Sequence, residues 1–291
     1  MSVAPEGRPY VGRALPGLGH RRFVVGSGAY VDDLGPSDAL HVAFLRSPHA
    51  HARILAVEVS AARAARGVVA VFVGDELVQA APIPVVRFAP DMKVPEYRAL
   101  SGQAVRYVGE PIAAVVAEAR GQADDAVQRI QVEYEPLAAV TTAESALQPD
   151  APILHPELGD NVCYHLVKHG GDVDVAFAQA ERVVSVRVAH HRISAVALEP
   201  RGLVARFDAA GGELTVWCSS QTPHQLRDDL AAALGLAQHR VRVLVPDIGG
   251  DFGSKGSTYR EDVAVAALAC RLGRAVRWTA TRREDLHSTQ H

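Results

Sequence analysis

One glycine-rich stretch of the sequence has the residue types of an anion-binding loop. It reads Gly-Gly-Asp-Phe-Gly-Ser-Lys-Gly over residues 249–256, and it follows a β-branched run at 241–245. Glycine lets the backbone adopt positive φ and lets a ligand approach the main chain closely. Free N–H groups at the start of a following helix can hold an anion, and Lys255 would add positive charge. The pattern predicts a phosphate-like or oxo-anionic ligand.

Two common phosphate-binding motifs do not fit this loop. A P-loop has glycine directly before its lysine, whereas here that residue is Ser254. The dinucleotide fingerprint G-x-G-x-x-G cannot be placed, because Asp251 stands two residues after Gly249. A glycine-rich connection between a strand and a helix, without any ligand, is the alternative that these residues alone leave open.

The residues that most often bind metals do not form a cluster in the sequence. His49 and His51 would lie on one side of a strand and His190 stands next to His191, but no third ligand follows at a suitable spacing. The three cysteines are far apart and form no C-x-x-C pair, which argues against zinc, iron–sulfur and disulfide sites. We therefore expect free thiols and no metal bound directly by protein side chains.

The elements around the loop can be predicted from their hydrophobic patterns. Thr222 and Pro223 are typical of an N-cap and a first helical turn, and this helix should end at Gly235. A second helix is expected over 258–272, ending at Gly273. Alternating or β-branched runs predict strands at 183–188, 214–219, 241–245 and 276–279.

The first half of the sequence predicts a separate group of elements. Strands are expected at 40–45, 68–73, 112–117 and 131–135, helices at 60–65 and 121–130, and a long proline-containing loop at 82–100. Prolines 149, 152 and 156 mark a connector where the composition changes. We therefore divide the chain into an N-terminal arm (1–20), a first domain (21–145), a connector (146–160) and a second domain (161–291).

Composition excludes several classes of protein. Of the 291 residues, 48% are apolar and 22% charged, as in a folded globular protein rather than a disordered one. The net charge of −3 makes nucleic acid an unlikely partner. No apolar run approaches the ~18 residues of a membrane-spanning helix, and the N-terminus lacks the apolar core of a secretory signal. These features predict a cytoplasmic protein without membrane insertion.

An ordered series of motifs resembles one enzyme family. The series matches the large, molybdopterin-binding subunits of the xanthine dehydrogenase, aldehyde oxidase and carbon monoxide dehydrogenase family from about Val11 to the last residue. Several long motifs in register make the resemblance specific, where any single one would not. The motifs, in chain order, are RSPHAHARI at 46–54, YVGEPIA at 107–113, VEYEPL at 132–137, EPRG at 199–202, SSQTPH at 219–224, HRVRV at 239–243 and PDIGGDFGSK at 246–255.

The resemblance implies a fold, a cofactor and residue roles. The expected fold class is α+β, with an α/β-hammerhead domain followed by an incomplete mixed α/β molybdopterin-binding domain. Gln221 corresponds to the glutamine that hydrogen-bonds an oxo ligand of molybdenum, while Gly249, Gly250, Phe252 and Gly253 match the loop beside the metal and the pterin. For Gln221 the alternative is a turn residue, and for Phe252 a side chain that fills the core.

Two positions depart from the family pattern. Asp251 stands where the family commonly has glycine, which brings a negative charge near an anionic cofactor. Gly256 stands where the purine-oxidising members have a substrate-recognising glutamate, which disfavours a purine held in that way. The implied reaction is therefore hydroxylation of an aldehyde, an N-heterocycle or a small carbonyl-type substrate, with water as the source of oxygen.

The resemblance also implies parts that this sequence does not contain. The family's general-base glutamate and its remaining pterin contacts lie in a C-terminal portion of the large subunit, and Glu110, Glu199 and Glu261 are not at the position of that base. The 2Fe-2S clusters and FAD belong to an iron–sulfur small subunit and an FAD-binding medium subunit. We therefore expect this chain to be inactive alone. The alternative is a non-catalytic truncated or split-subunit remnant that acts as a structural or interaction module.

Overall fold

The computed structural model describes residues 11–12, 14–15, 17–77 and 81–289, and it contains ten strands among them. The N-terminal arm predicted over 1–20 lies largely outside these residues. The strands are β1 Leu40–Arg46, β2 Ala52–Glu58, β3 Val68–Val73, β4 Ala104–Val105, β5 Pro111–Ala117, β6 Gln131–Pro136, β7 Gly202–Asp208, β8 Glu213–Cys218, β9 Val241–Leu244 and β10 Val276–Thr279.

Eight α-helices accompany these strands in the described residues. They are α1 His20–Val24, α2 Ser60–Arg63, α3 Arg120–Val127, α4 Ala143–Ala146, α5 Val173–Gln179, α6 Pro223–Leu234, α7 Arg260–Leu272 and α8 Arg282–Ser288. No helix among them is long and apolar enough to cross a membrane.

Seven of the strands form one mixed sheet in the order β3-β5-β1-β10-β7-β8-β9. β1 pairs antiparallel with β5 and parallel with β10, with Leu40 opposite Val276. The sheet therefore joins strands from both sides of the connector at 146–160. The boundary that we place there divides the sequence, and it stays a prediction. A second sheet, in the order β4-β2-β6, lies beside the first.

Helices cover both faces of the large sheet where its central strands lie. All seven residues of β5 are buried, because side chains on its two faces meet different helices. Val116 and its neighbours on one face belong to the same apolar core as α6 and α7, whereas Val115 on the other face packs with α3. Such two-sided burial explains why β5 is a continuous apolar run rather than an alternating one. The α+β architecture predicted from the resemblance is confirmed.

Most of the predicted elements are present, with boundaries shifted by a few residues. The strand predicted at 183–188 is wrong. These residues make no backbone hydrogen bond with any described residue, and each of the four valines in this stretch is exposed. Alternation of apolar side chains predicts a strand only if a neighbouring strand satisfies its main-chain groups, and no strand of the described ranges pairs with this stretch.

The failed strand belongs to a longer stretch with the same character. Every residue from 162 to 193 is exposed, and we refer to this stretch as the exposed segment. Its single regular element is α5, which starts where the Asp172 carboxylate accepts a hydrogen bond from the Val175 N–H at 3.0 Å. Nine residues after this segment, at Gly202, the chain is again part of the packed sheet.

Candidate functional site

The glycine-rich loop connects the end of β9 to the start of α7, as predicted. Its backbone has positive φ at three residues. Gly250 and Gly253 both have φ of +95°, and Phe252 has φ of +47°. Positive φ costs glycine little but strains a residue that has a Cβ atom. The loop therefore depends on glycine at 250 and 253, and it holds Phe252 in a conformation that such a residue rarely adopts.

Phe252 points away from the core. Its side chain is 75% exposed, which rules out the role of a core-filling residue. A Cβ atom on Gly253 would meet no other atom within 4 Å, so the surface next to Phe252 is open. An exposed aromatic ring beside an open glycine backbone is a surface that a flat ligand can approach.

Gln221 lies directly against the loop. It sits between the end of β8 and the start of α6, where its own N–H donates to the Lys255 carbonyl at 2.9 Å. Its side-chain Oε1 accepts a hydrogen bond from the Lys255 N–H at 3.2 Å. Since the amide oxygen faces the loop, the NH2 group is left as a donor that makes no hydrogen bond with the described residues. The structure thus brings together Gln221 and the loop residues that the sequence singled out.

Lys255 does not have the role that its charge suggested. Its side chain is only 1% exposed, and its Nζ donates to Glu199 Oε2 at 2.9 Å and to Ser219 Oγ at 2.8 Å. The expectation that Lys255 adds positive charge for an anion is therefore wrong, because the ammonium is buried and neutralised. Any anion at this loop would be held by main-chain N–H groups.

Glu199 is the functional side chain that the sequence did not single out for the loop. Besides Lys255, its Oε2 accepts hydrogen bonds from Ser219 Oγ at 2.8 Å and from the Gly249 N–H at 2.9 Å. Burial acts to raise the pKa of Glu199, but the hydrogen bonds from Lys255, Gly249 and Ser219 outweigh it and hold the pKa below its usual value. The residue is therefore a carboxylate that is already fully engaged.

Further hydrogen bonds fix the end of the loop. The Tyr259 hydroxyl donates to the Ser254 carbonyl at 2.7 Å, and the Thr222 hydroxyl donates to the Gly256 carbonyl at 3.1 Å. Thr222 therefore precedes α6 as predicted but does not cap it with its side chain. The loop is tied to the element before α6 as well as to the element that follows it.

A network of buried charges lies beneath Tyr259. The Arg201 guanidinium stacks on the Tyr259 ring at 3.8 Å and donates to Glu261 at 3.3 Å. Arg46 donates to the same carboxylate at 2.6 Å. Burial acts to raise the pKa of Glu261, but Arg201 and Arg46 lower it to about 2, whereas burial raises the pKa of the adjacent Asp262 to about 6. Sequence motifs marked Arg201 only as part of EPRG and offered no signal for this network.

The donors that remain around the loop fit an anionic cofactor. The N–H groups of Gly250, Asp251 and Gly253 make no hydrogen bond within the described residues. Together with the Gln221 NH2 group they form a set of neutral donors. Asp251 accepts a hydrogen bond from the Phe252 N–H. In the described residues no three His, Cys, Asp or Glu side chains are grouped as metal ligands.

Two family models match nearly the whole chain. The model described as the α/β-hammerhead domain of aldehyde oxidase and xanthine dehydrogenase matches residues 25–138. The model described as the molybdopterin cofactor-binding domain matches residues 154–291, which include Gln221 and the glycine-rich loop.

Known proteins align with this chain over most of its length. The nicotine 6-hydroxylase large subunit of Paenarthrobacter nicotinovorans is 34% identical over 99% of this chain and 35% of its own length. The carbon monoxide dehydrogenase large chain of Afipia carboxidovorans is 34% identical over 92% of this chain and 34% of its own length. The chain thus spans about a third of the length of these relatives.

A solved structure shows the same fold. The crystal structure of quinoline 2-oxidoreductase from Pseudomonas putida 86 matches with a TM-score of 0.85 and 37% identity, over 91% of this chain and 34% of that one. The overall fold of this chain is therefore that of an established structure.

Proposed function

The chain belongs to the xanthine dehydrogenase, aldehyde oxidase and carbon monoxide dehydrogenase family of molybdopterin-binding large subunits, and we propose that it supplies one part of a molybdenum cofactor site. The observation that carries this proposal is the pairing of Gln221 with the glycine-rich loop. A 3.2 Å hydrogen bond from the Lys255 N–H holds the Gln221 oxygen, which leaves the NH2 group free to donate. A neutral amide donor suits an oxygen ligand, because it does not itself ionise.

Each residue of the proposed site has a distinct task. Gln221 donates a hydrogen bond to an oxygen ligand of the metal. Gly253 allows a pterin to approach the main chain, because no atom lies within 4 Å of its Cβ position, and the free N–H groups of Gly250 and Gly253 donate to it. Gly250 provides the positive φ of the turn, and Gly249 holds the start of the loop against Glu199. Phe252 covers one side of the ligand with its exposed ring. When bound, the molybdenum cofactor supplies the oxidative chemistry, and the protein binds and orients it.

The general base of the reaction comes from outside this chain. The conspicuous carboxylates are all committed to buried cations, and none is free to accept a proton from substrate. The pairs are Glu110 with Arg260 at 2.8 Å, Glu199 with Lys255 at 2.9 Å and Glu261 with Arg46 at 2.6 Å. The ion pairs of Glu199 and Glu261 hold the pKa of these two carboxylates below its usual value. We therefore propose that the base and the remaining pterin contacts lie in a C-terminal portion of the large subunit.

The reaction and the partners follow from the family. We propose oxidative hydroxylation of an aldehyde, an N-heterocycle or a small carbonyl-type substrate, with water as the oxygen source. Electrons would leave through an iron–sulfur small subunit that holds 2Fe-2S clusters and an FAD-binding medium subunit. Gly256 offers no side chain to a purine, so purines are the least favoured N-heterocycles. Without these partners the chain turns over no substrate.

A non-catalytic module is the second candidate function. The exposed segment favours it, because the thirty-two residues from 162 to 193 present many valines to solvent without a partner strand. Large exposed apolar surfaces commonly mark protein interaction sites. A chain that only binds other subunits would show this surface and would not bind a cofactor.

Replacing Gln221 by alanine tests the proposed function. The experiment uses the chain co-expressed with the C-terminal two thirds of a large subunit and the two redox subunits. Loss of one charge-assisted hydrogen bond of ~1.5–3 kcal/mol should lower kcat about tenfold to a hundredfold. His224→Ala, which changes an exposed residue of α6, is the control. Unchanged turnover in Gln221→Ala, with chemistry limiting, contradicts the assignment.

A further inference from the structure

The two ends of the glycine-rich loop meet at one carboxylate. Glu199 Oε2 accepts a hydrogen bond from the Gly249 N–H at 2.9 Å at the start of the loop. The same oxygen accepts from Lys255 Nζ at 2.9 Å near the end of the loop. Ser219, directly after β8, donates to it as well at 2.8 Å. The Glu199 side chain thus connects both ends of the loop to the C-terminal end of β8 in the large sheet.

The contact between Glu199 and the loop also involves the main chain. The Glu199 N–H donates to the Gly249 carbonyl at 3.0 Å. A Cβ atom on Gly249 would lie 2.5 Å from the Glu199 Cβ, which is too close for any side chain. Glycine at 249 is therefore required by this approach of two backbones, and it is not required by a positive φ.

The charge of Lys255 makes this connection strict. Its ammonium is almost completely buried, and Glu199 is its carboxylate partner at 2.9 Å. Removing one member of a buried pair leaves an uncompensated charge, which costs more than the pair itself contributes. Substitution of Glu199 or of Lys255 alone should therefore displace the side chain of the other residue.

The position of Lys255 in turn decides the direction of Gln221. The Lys255 N–H holds the Gln221 Oε1, and the Lys255 carbonyl accepts from the Gln221 N–H. We propose that Glu199 and Lys255 are positioning residues, which orient the Gln221 amide and set the spacing of the loop N–H donors without touching the cofactor. This inference rests on the proposed function for its catalytic consequence, whereas its structural part concerns this chain alone.

The structural part is tested by NMR and hydrogen exchange on the chain. Glu199→Gln and Lys255→Met should each raise the exchange rate of the Gly249 amide at least about tenfold, because the hydrogen bonds that protect it weaken. Both should shift the side-chain NH2 resonance of Gln221. Lys255→Arg, which keeps the charge, should stay closer to the unmodified chain. Amides in the middle of α7 should not change.

Lys93→Met is the matched control. It also removes a lysine from an ion pair, with Asp160 at 2.8 Å, but both side chains are substantially exposed. Exposed pairs contribute little, so the loop amides and the Gln221 resonance should stay the same. If Lys255→Met does not fold, Ser219→Ala removes the two hydrogen bonds of the Ser219 hydroxyl, to Glu199 and from Lys255, and keeps the ion pair. It should still shift the Gln221 resonance. An unchanged Gln221 resonance and unchanged Gly249 exchange in the folded variants contradict the inference.

The catalytic part is tested in the complex with the C-terminal two thirds of a large subunit and the redox subunits. Glu199→Gln should lower kcat about tenfold with KM nearly unchanged, and Lys255→Arg should restore part of what Lys255→Met loses. Loop exchange that changes as expected in a chain whose complex lacks molybdenum contradicts the proposed function alone. Molybdenum in the complex, with loop exchange and kcat unaffected by Glu199→Gln, contradicts the positioning role alone.

Discussion

Strand β5 and the exposed segment both contain runs rich in valine, but β5 is buried and the exposed segment faces solvent. β5 contains Ile-Ala-Ala-Val-Val-Ala over 112–117, and all of these residues are buried between β1 and β3. The exposed segment contains Val-Val-Ser-Val-Arg-Val over 183–188, and its valines are exposed and unpaired within the described residues. Valine content and alternation show that a segment is able to form a strand. Whether the segment is buried depends on whether other strands pair with it.

The candidate site lies on the packed side of this comparison. The glycine-rich loop starts from β9 and leads into α7, whose residues from 260 to 269 are all buried. A loop fixed by a rigid helix and by buried hydrogen bonds can hold donors ready for a ligand. The exposed segment ends six residues before Glu199, so the packed site and the unpacked surface lie close together in the sequence.

The largest expected difference between the two regions is in hydrogen exchange of the chain alone. Amides of β5 and α7 should exchange only through global unfolding, whose free energy is about 5–15 kcal/mol in native proteins. Amides of 183–188 should exchange at nearly the rate of an unstructured peptide, because no acceptor protects them. Mass spectrometry of peptic fragments measures both. Equal protection in the two regions would show that the segment has a partner strand in the chain alone.

A matched pair of leucine substitutions sharpens the comparison energetically. Leu268→Ala, in the fully buried part of α7, should lower the free energy of unfolding by about 2–5 kcal/mol through lost burial and a cavity. Leu166→Ala, in the exposed segment, should change it by less than about 0.5 kcal/mol. Urea unfolding of both variants gives the two values. Similar losses in the two variants would mean that Leu166 is packed in solution.

The pH dependence of stability should also differ between buried and exposed acids. Burial raises the pKa of Asp262 to about 6, so the folded chain keeps a proton that the unfolded chain loses, and stability falls as pH rises from about 4 to 6. Asp262→Asn removes this loss. The change in unfolding free energy from pH 4 to pH 7 should therefore be more positive in the variant, by at most about 3 kcal/mol.

Glu261 acts in the opposite direction and limits the range of that experiment. Its pKa of about 2 means that its stabilising pairs with Arg201 and Arg46 are present above pH 4.5 and are lost as pH falls toward 2. Unfolding is therefore compared at pH 4 and above. Asp174→Asn in the exposed segment is the control, because that carboxyl group is exposed rather than buried. An equal effect of both substitutions would contradict the burial of Asp262.

Local patterns predicted the fold well where a segment's neighbours were also in the sequence. The runs that form β1, β3 and β5 are mainly apolar, and Gly235 and Gly273 end α6 and α7 as expected. The motif series also singled out Gln221 and the loop, which the structure brings together. These are features in which the residue type itself limits the backbone.

The interactions inside the site could not be predicted in this way. The role of Lys255 depends on Glu199, which is 56 residues away in the sequence. A lysine in a glycine-rich loop has the same local pattern whether it binds an anion or a buried carboxylate. The strand predicted at 183–188 failed for a related reason, since the pattern was correct for a strand but contained no information on the partner.

The most direct test of the account is the molybdenum content of the assembled protein. The chain is co-expressed with the C-terminal two thirds of a large subunit and with the molybdopterin biosynthetic machinery, and the purified complex is analysed for metal and for pterin. We predict stoichiometric molybdenum and pterin in the complex, and their loss when Gly250 and Gly253 are both replaced by valine, because positive φ excludes β-branched residues there. A well-folded complex that contains neither molybdenum nor pterin would contradict the central claim that this loop and Gln221 form part of a cofactor site.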